Sequence, residues 1–248
     1  FWILDDLTAL RAMTPEVVAK DVHLFAPRFA YRYIGVEAIW AEFEDPTAGY
    51  NPPSGSALNY WLKADSKDSV KIEIADAAGV LVRKMAGTQK AGLNRVWWDL
   101  QSDRTKEAKL RLPPPYADDI IIGASGRTAP NVPRATYRAP PGTYTVRLIA
   151  AGQTLTQTME VRRDPASNGS LDDITIQVAA AKALGTDIDA TVDMINNVET
   201  LRAQLVALQG ALAGDEKTAD LRAGADSLEK KYVALEEDLM QLRSTGRG

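Results

Sequence analysis

The chain has 248 residues, 45% hydrophobic and 25% charged, a balance that excludes wholesale disorder and collagen-like repeats. Cysteine is absent and His23 is the only histidine, which excludes disulfide scaffolds and thiolate metal sites and leaves one residue around which a Ser–His site could be built. The net charge is −4, but residues 101–163 carry +5 and residues 164–248 carry −7. Acidic helices do not attract a phosphate backbone, so nucleic acid is not expected as a partner, and no apolar run is long enough to span a bilayer.

The first twenty residues combine a short apolar run with predicted helical turns. Phe1-Trp2-Ile3-Leu4 has the pattern of a strand, but no partner strand follows nearby in the sequence. Thr14-Pro15-Glu16 supplies a cap, a proline at the first helical position and an early acid, which predicts helical turns over residues 8–20. We interpret residues 1–20 as the tail of a domain that belongs to a larger protein.

Residues 21–165 follow a period of two, which is typical of strands with one buried and one wet face. Tyr144, Val146 and Leu148 alternate with polar residues and are expected to face inward. The turn signals fall between short strands with no helix among them, which favours an immunoglobulin-like antiparallel β-sandwich. The strands are predicted at residues 22–25, 57–62, 70–75, 80–85, 95–100, 143–148 and 154–161.

Two inserts interrupt this β-rich region, at residues 34–56 and 101–140. The second is rich in proline, and we expect Ile120, Ile121 and Ile122 to hold it on the surface of the sandwich, because exposed isoleucines are costly in water. Its cations are interpreted as a solvated loop, with an anion-binding patch as the alternative. These cations are Arg104, Lys106, Lys109, Arg111, Arg127, Arg134 and Arg138.

Residues 166–248 predict a long antiparallel α-helical hairpin. Ser170 lies three residues before Asp173, as in a capping box. A helix of about 40 residues then continues through Gly185 to a break at residues 210–214. Its apolar stripe is Ile174, Val178, Ala181, Leu184, Ile188, Val192, Ile195, Val198, Leu201, Leu205 and Leu208. The second helix has a heptad stripe of Leu221, Ala225, Leu228, Tyr232, Leu235, Leu239 and Leu242.

The two stripes are expected to pack against each other. Because the first helix is longer, Ile174, Val178 and Leu184 need another surface to cover. We expect the base of the hairpin to dock on its own chain and the half around Leu205 and Leu221 to project as an interaction arm.

Several motifs occur in an order known from one family. They are Phe1-Trp2-Ile3-Leu4-Asp5-Asp6-Leu7, His23-Leu24-Phe25-Ala26-Pro27-Arg28, Asn51-Pro52-Pro53-Ser54-Gly55, Tyr60-Trp61-Leu62-Lys63, the segment 92–100 and the segment 141–148. Residues 1–165 thereby resemble the C-terminal region of bacterial sortilin-like proteins with neuraminidase-type repeats, β-propeller proteins often named glycosyl hydrolases. The last two segments also resemble the immunoglobulin-like domain of flagellar hook-capping proteins.

The resemblance implies a non-catalytic accessory region of a secreted or periplasmic propeller protein. The Ser-x-Asp-x-Gly-x-Thr-Trp boxes of the propeller blades do not occur in this sequence. The chain itself is therefore not expected to be an enzyme, and its expected partner is its own propeller or another protein subunit. The alternatives are a carbohydrate-binding module, with a glycan as ligand, or the structural C-terminus of a sialidase-like glycoside hydrolase.

No catalytic, cofactor-binding or metal-binding residue is predicted, because each candidate has a structural explanation. His23 is interpreted as a structural histidine. The acidic pairs Asp5-Asp6, Asp118-Asp119 and Asp172-Asp173 lack the alternating ligands of a calcium loop. Trp97 and Trp98 point to opposite faces of a strand, one into the core, with a sugar-stacking platform as the alternative. Asn168-Gly169-Ser170 is explained by a turn and a helix cap, and Gly123-Ala124-Ser125-Gly126-Arg127 lacks the spacing of a phosphate loop.

Overall fold

The computed structural model describes residues 6–33, 53–113, 119–129 and 134–240. The predictions on residues 1–5, on Asp118, on Leu242 and on most of the insert 34–56 lie outside the described residues. Residue contacts divide the chain into two compact units. The β-rich unit comprises residues 1–103 and 137–180, and the helical unit comprises residues 104–136 and 181–248.

Two short helices precede the strands, α1 (Thr8–Arg11) and α2 (Pro15–Ala19). The hydroxyl of Thr14 accepts a hydrogen bond from the backbone N–H of Val17 at 3.4 Å, and Pro15 occupies the first helical position. The predicted start of helical turns at Thr14 is therefore confirmed. Ala9 and Val17 are buried in a small cluster with Phe25.

Ten strands follow in chain order within the described residues. They are β1 (Val22–Leu24), β2 (Ala30–Arg32), β3 (Ser56–Leu62), β4 (Lys71–Ala75), β5 (Leu81–Ala86), β6 (Gly92–Trp98), β7 (Lys109–Leu110), β8 (Arg127–Thr128), β9 (Gly142–Ala150) and β10 (Gln153–Arg163). One sheet has the order β1-β3-β6, a second has the order β2-β10-β9-β4-β5, and β7 pairs with β8. All these pairings are antiparallel except that of β2 with β10, which is parallel.

The first two sheets contribute to one hydrophobic core. Tyr60 and Trp98 come from the three-stranded sheet, and Ile72, Tyr144 and Leu148 come from the five-stranded sheet. The rings of Trp98 and Tyr144 meet edge-to-face at 5.3 Å, so the prediction that Tyr144 faces inward is confirmed. The period of two places these side chains on one face of each strand, which is why the sequence pattern located them.

Two helices follow the strands, α3 (Leu171–Ala211) and α4 (Ala219–Leu239), joined by a 3₁₀ turn at Glu216–Thr218. Ser170 Oγ accepts the N–H of Asp173 at 3.1 Å, and Asp173 accepts the N–H of Ser170 at 2.9 Å. The capping box and the length of about 40 residues predicted for the first helix are confirmed. The protein is thus of mixed β and α structure, and no helix in the described part of the chain is long and apolar enough to cross a membrane.

The first turns of α3 pack within the β-rich unit. Ile174 and Val178 are buried, as their predicted need for another surface requires. Gln177 accepts a 2.7 Å hydrogen bond from the guanidinium of Arg32 on β2. Leu184 is an exception, because its side chain remains exposed.

Candidate functional site

The candidate residues of the β-rich unit make packing contacts and hydrogen bonds within the fold. The ring of His23 packs edge-on against Phe25 at 4.7 Å, and burial, together with Lys20, lowers the pKa of this histidine. Trp98 is fully buried and its indole N–H donates to the carbonyl of Gln101 at 2.9 Å. This burial makes Trp98 unable to form a sugar platform, and Trp97, on the other face of β6, is half-buried.

Two of the acidic candidates, Asp6 and Asp173, accept main-chain hydrogen bonds near helix starts. Asp6 accepts the N–H of Thr8 at 2.9 Å, and hydrogen bonds from Ser170 lower the pKa of Asp173. Among the described residues, no group of three or more His, Asp or Glu side chains is arranged to hold a metal ion. Gly123 and Gly126 close a turn through a 2.9 Å backbone hydrogen bond, and Asn168 lies in the loop before α3.

A row of exposed aromatic rings lies on the edge strand β2 and its ends. Phe29, Tyr31 and Tyr33 alternate along the chain and are exposed on one side. The rings of Phe29 and Tyr31 are nearly perpendicular at 5.4 Å, and the guanidinium of Arg162 lies 3.8 Å from the centroid of the Phe29 ring. The row is aromatic but not flat.

In the helical unit, residues 104–113, here called the docking segment, lie along α3. The N–H of Lys106 donates to Asp189 at 2.6 Å, and the N–H groups of Arg111 and Leu112 both donate to Glu199, the second at 3.1 Å. Asn196 accepts the N–H of Lys109 at 2.8 Å and donates to the carbonyl of Glu107 at 3.4 Å. Side chains of the helix thus satisfy the main-chain hydrogen-bonding groups of this segment, as a neighbouring strand does in a sheet.

Apolar packing reinforces these hydrogen bonds. Ala108 and Leu110 are buried in one cluster with Val192 and Ile195 of α3 and with Met240. Two of the three isoleucines that were expected to hold the insert do not do so, because Ile121 is 94% exposed and Ile120 is also exposed, while Ile122 is half-buried. The segment is held instead by Ala108 and Leu110 and by its main-chain N–H groups, which carry no hydrophobic signal.

Arg202 of α3 is the centre of a buried group of charges, here called the arginine cluster (Glu199, Arg202, Glu229 and Glu236). Nη1 of Arg202 donates to Glu199 at 2.9 Å and also to Glu236. Nε and Nη2 donate to a single oxygen of Glu229, at 3.0 and 2.9 Å. Glu199 is 2% exposed and Glu236 is 0% exposed, so the cluster lies inside the unit.

Three carboxylates therefore share one guanidinium. Burial and, after it, the neighbouring Glu199 raise the pKa of Glu236 to about 7, although Arg202 opposes both effects. The partner carboxylates raise the pKa of Arg202 against its own burial. Arg202 is charged at every ordinary pH, whereas Glu236 is the member of the cluster that can exchange a proton near neutrality.

Apolar side chains on the outside of both helices recur every seven residues. On α3 they are Met194, Leu201 and Leu208, here called the α3 stripe. On α4 they are Leu221, Leu228 and Leu235, the α4 stripe. These six side chains are between 40 and 66% exposed, which is unusual for leucines at heptad spacing.

The two stripes correct the expected packing of the helices. The sequence predicted that the whole heptad stripe of α4 faces α3, but Leu221, Leu228 and Leu235 are exposed, while Glu229 and Glu236 turn inward. The other described members of the predicted stripe do pack inside: Ala225 is buried, Tyr232 is half-buried, and Leu239 packs on the cluster of Val192 and Ile195. Sequence reasoning missed the arginine cluster because charged residues were assigned to solvent. A signal was present: Arg202 and Glu236 each directly follow a leucine of the predicted stripe, at positions adjacent to the core.

Comparison of the chain with protein-family models, with curated proteins and with solved structures found no match.

Proposed function

We propose that this chain is a non-catalytic interaction region of a secreted or periplasmic β-propeller protein. In this proposal the β-rich unit is an immunoglobulin-like sandwich, and α3 and α4 form an antiparallel hairpin that contacts another protein subunit. The proposal rests on the two exposed stripes, because apolar surface of this extent on a helix pair usually marks an interface.

The contacts of α4 support the antiparallel hairpin. Arg202, towards the end of α3, bonds Glu229 in the middle of α4. Val192 and Ile195, further from the turn, share a cluster with Met240, which is also further from the turn. Contacts that move away from the connecting turn on both helices together are those of two helices running in opposite directions.

The same contacts support a common face for both stripes. Leu201 directly precedes Arg202, while Leu228 and Leu235 directly precede Glu229 and Glu236. One residue is a rotation of about 100° around a helix axis, so each stripe is displaced in the same sense from the side that meets the other helix. In an antiparallel pair, equal displacements bring both stripes to one side, which we name the leucine face.

The occupant of the leucine face that we propose is a basic amphipathic helix of another subunit. Strict spacing of seven is the spacing at which one helix packs against another. Residues 164–248 carry a net charge of −7, which favours a partner with lysine or arginine beside its apolar positions and disfavours a second copy of the same acidic helices. Each stripe extends over roughly 21 Å, or two heptads of the partner.

The test uses synthetic four-heptad helices with leucine at the core positions, flanked either by lysine or by glutamate. Fluorescence anisotropy is expected to show that the full chain binds the lysine peptide at least tenfold more tightly than the glutamate peptide. The double variant Leu201→Glu/Leu228→Glu is expected to lose this binding. The matched control Ala223→Glu/Ala234→Glu adds the same charges on α4, away from the leucine face, and is expected to bind.

Three results would contradict the proposal. Equal binding of both peptides would contradict a preference for a basic partner. Unchanged binding by the double variant would contradict binding at the leucine face. A dimer of the chain alone, measured by light scattering and abolished in the double variant, would assign the face to a second copy.

The second candidate is a carbohydrate-binding module, and the aromatic row on β2 favours it. Phe29, Tyr31 and Tyr33 present rings at alternating positions, as stacking sites for sugar rings require. Arg162 covers one face of Phe29, so the platform would rest on the two tyrosines. A glycan array with the full chain and with Tyr31→Ala/Tyr33→Ala tests it, and retention of glycan signal in the variant would rule out this row.

A further inference from the structure

The arginine cluster holds more negative than positive charge inside the protein. Glu199, Glu229 and Glu236 bring three carboxylates to the single guanidinium of Arg202. Glu199 and Glu236 are almost completely shielded from solvent, so water does not compensate the difference. A buried charge without a partner is strongly unfavourable, and a carboxylate in that position gains a proton instead.

The hydrogen bonds identify the carboxylate that takes the proton. Glu199 accepts from Arg202 with Oε1, and from the main-chain N–H groups of Arg111 and Leu112 with Oε2. Glu229 accepts twice from Arg202 and is the most exposed of the three. Glu236 accepts from Arg202 with Oε2, but its Oε1 is buried without a hydrogen-bond partner in the described part of the chain. A proton on Oε1 removes the excess charge and provides a donor towards the carboxylate of Glu199.

We propose that the arginine cluster is a proton-operated latch, in which neutral Glu236 holds α4 and the docking segment on α3 and ionised Glu236 releases them. Three elements meet at this point, and Glu199 links them because it contacts the docking segment, Arg202 and Glu236. The charged groups facing Glu236 are Glu199 and Arg202 from α3 and Glu229 from α4. The docking segment contributes main-chain N–H groups. The latch is independent of whether the leucine face binds a helix.

The direction of the pH effect follows from the proton balance. The folded chain binds the proton of Glu236 more tightly than the unfolded chain, whose glutamates have a pKa of about 4.5. The contribution of the latch to stability is therefore complete below about pH 4.5 and is lost as the pH rises through about 7. Since His23, in the β-rich unit, is the only histidine, few other side chains ionise in this interval.

Hydrogen exchange of the full chain, corrected for the intrinsic pH dependence of amide exchange, tests the latch. Between pH 6 and pH 8, protection of α4 and of residues 104–113 is expected to fall about tenfold, the full effect of one proton with these two pKa values, while that of β3 and β9 stays constant. Glu236→Gln imitates the protonated acid and is expected to keep its protection at pH 8. Glu237→Gln removes the same charge from the next, exposed position and is expected to behave as the parent chain.

Each outcome decides the proposal. Constant protection of α4 in the parent chain, or an equal pH response in Glu236→Gln, overturns it. Loss of α4 in Glu236→Gln at pH 6 also overturns it, because the neutral side chain would then not be the holding form. A separate readout is the ¹³C titration of the glutamate carboxyl groups, where the signal missing from Glu236→Gln is expected to have a midpoint near neutral pH. A midpoint in the ordinary carboxyl range contradicts the latch without reference to how well any variant folds.

Discussion

Arg202 on α3 donates through both Nε and Nη2 to one carboxylate oxygen of Glu229 on α4, at 3.0 and 2.9 Å. Two hydrogen bonds that converge on one charged oxygen fix the position of the guanidinium. The remaining nitrogen, Nη1, can then reach Glu199 and Glu236 together. One side chain therefore connects the two long helices at two levels of α4.

Removal of Arg202 is expected to destabilise the helical unit strongly. Arg202→Met keeps the length of the side chain but leaves three carboxylates close together, and breaking a buried ion pair typically costs about 3–5 kcal/mol. The loss is expected to be smaller at pH 5 than at pH 8, because the carboxylates can then take up protons. Urea unfolding followed by helical circular dichroism measures it, with Arg222→Met on the exposed side of α4 as the control; equal stability of both variants would contradict the prediction.

The attachment of the docking segment is expected to depend on Asn196. Its amide bonds the main chain of the segment twice, and Asn196→Ala removes both bonds at a cost of about 1–3 kcal/mol. Trypsin is then expected to cut after Lys106 or Lys109 roughly tenfold faster than in the parent chain, since cleavage requires the segment to open. Asn197→Ala changes the neighbouring exposed position and is the control; cleavage at the same rate in both variants would show that Asn196 is dispensable.

The ring of Tyr144 is expected to contribute more to the stability of the β-rich unit than its hydroxyl group does. The hydroxyl donates to the carbonyl of Pro140 at 2.7 Å, and the ring packs on Trp98. Tyr144→Ala is expected to lower the free energy of unfolding by about 3–5 kcal/mol. Tyr144→Phe, which loses only the hydrogen bond, is expected to lower it by about 1 kcal/mol. Thermal unfolding followed by tryptophan fluorescence compares the two, and equal losses would mean that the hydroxyl group contributes most of the stability.

Gly55 is expected to be the least replaceable glycine of the β-rich unit. Its φ is +113°, and a Cβ atom there would lie 1.9 Å from the carbonyl oxygen of Trp98. Gly55→Ala therefore adds a clash with main-chain atoms to a backbone strain of about 1–3 kcal/mol. Gly79 also has a positive φ, of +80°, but has open space around it, so Gly79→Ala isolates the strain. The melting temperature of Gly55→Ala is expected to fall clearly below that of Gly79→Ala, and the reverse order would exclude the clash.

The sequence located elements correctly where a local signal, either hydrophobic periodicity or a helix cap, decides the structure. The alternation around Tyr144 and Ile72 marked buried strand faces, and Thr14 and Ser170 marked helix starts, because these signals are local. Strand β2 was missed, since three residues paired in parallel with the distant β10 carry too short a pattern. The length of α3 was predicted correctly, and most of its predicted stripe is buried or half-buried, but Leu184, Leu201 and Leu208 are exposed.

The error in the helices has a physical cause. Heptad leucines normally face a partner helix, and the sequence analysis placed Leu228 and Leu235 there. In the structure, Glu229 and Glu236 turn inward to Arg202 and the leucines rotate out. A buried arginine changes which side of α4 is the inner side, and no count of apolar residues contains that information.

Recognition of a main chain by a helix has a consequence for sequence variation. Asp189, Asn196 and Glu199 bond N–H groups of residues 106, 109, 111 and 112, and these groups exist in every amino acid except proline. The side chain of Lys109 can therefore vary without loss of these bonds, whereas Arg111 also donates through its Nε to Thr200 of α3 at 3.1 Å. Among divergent copies of this protein, we expect position 109 to accept many residues but not proline, and we expect α3 to retain its three acceptors.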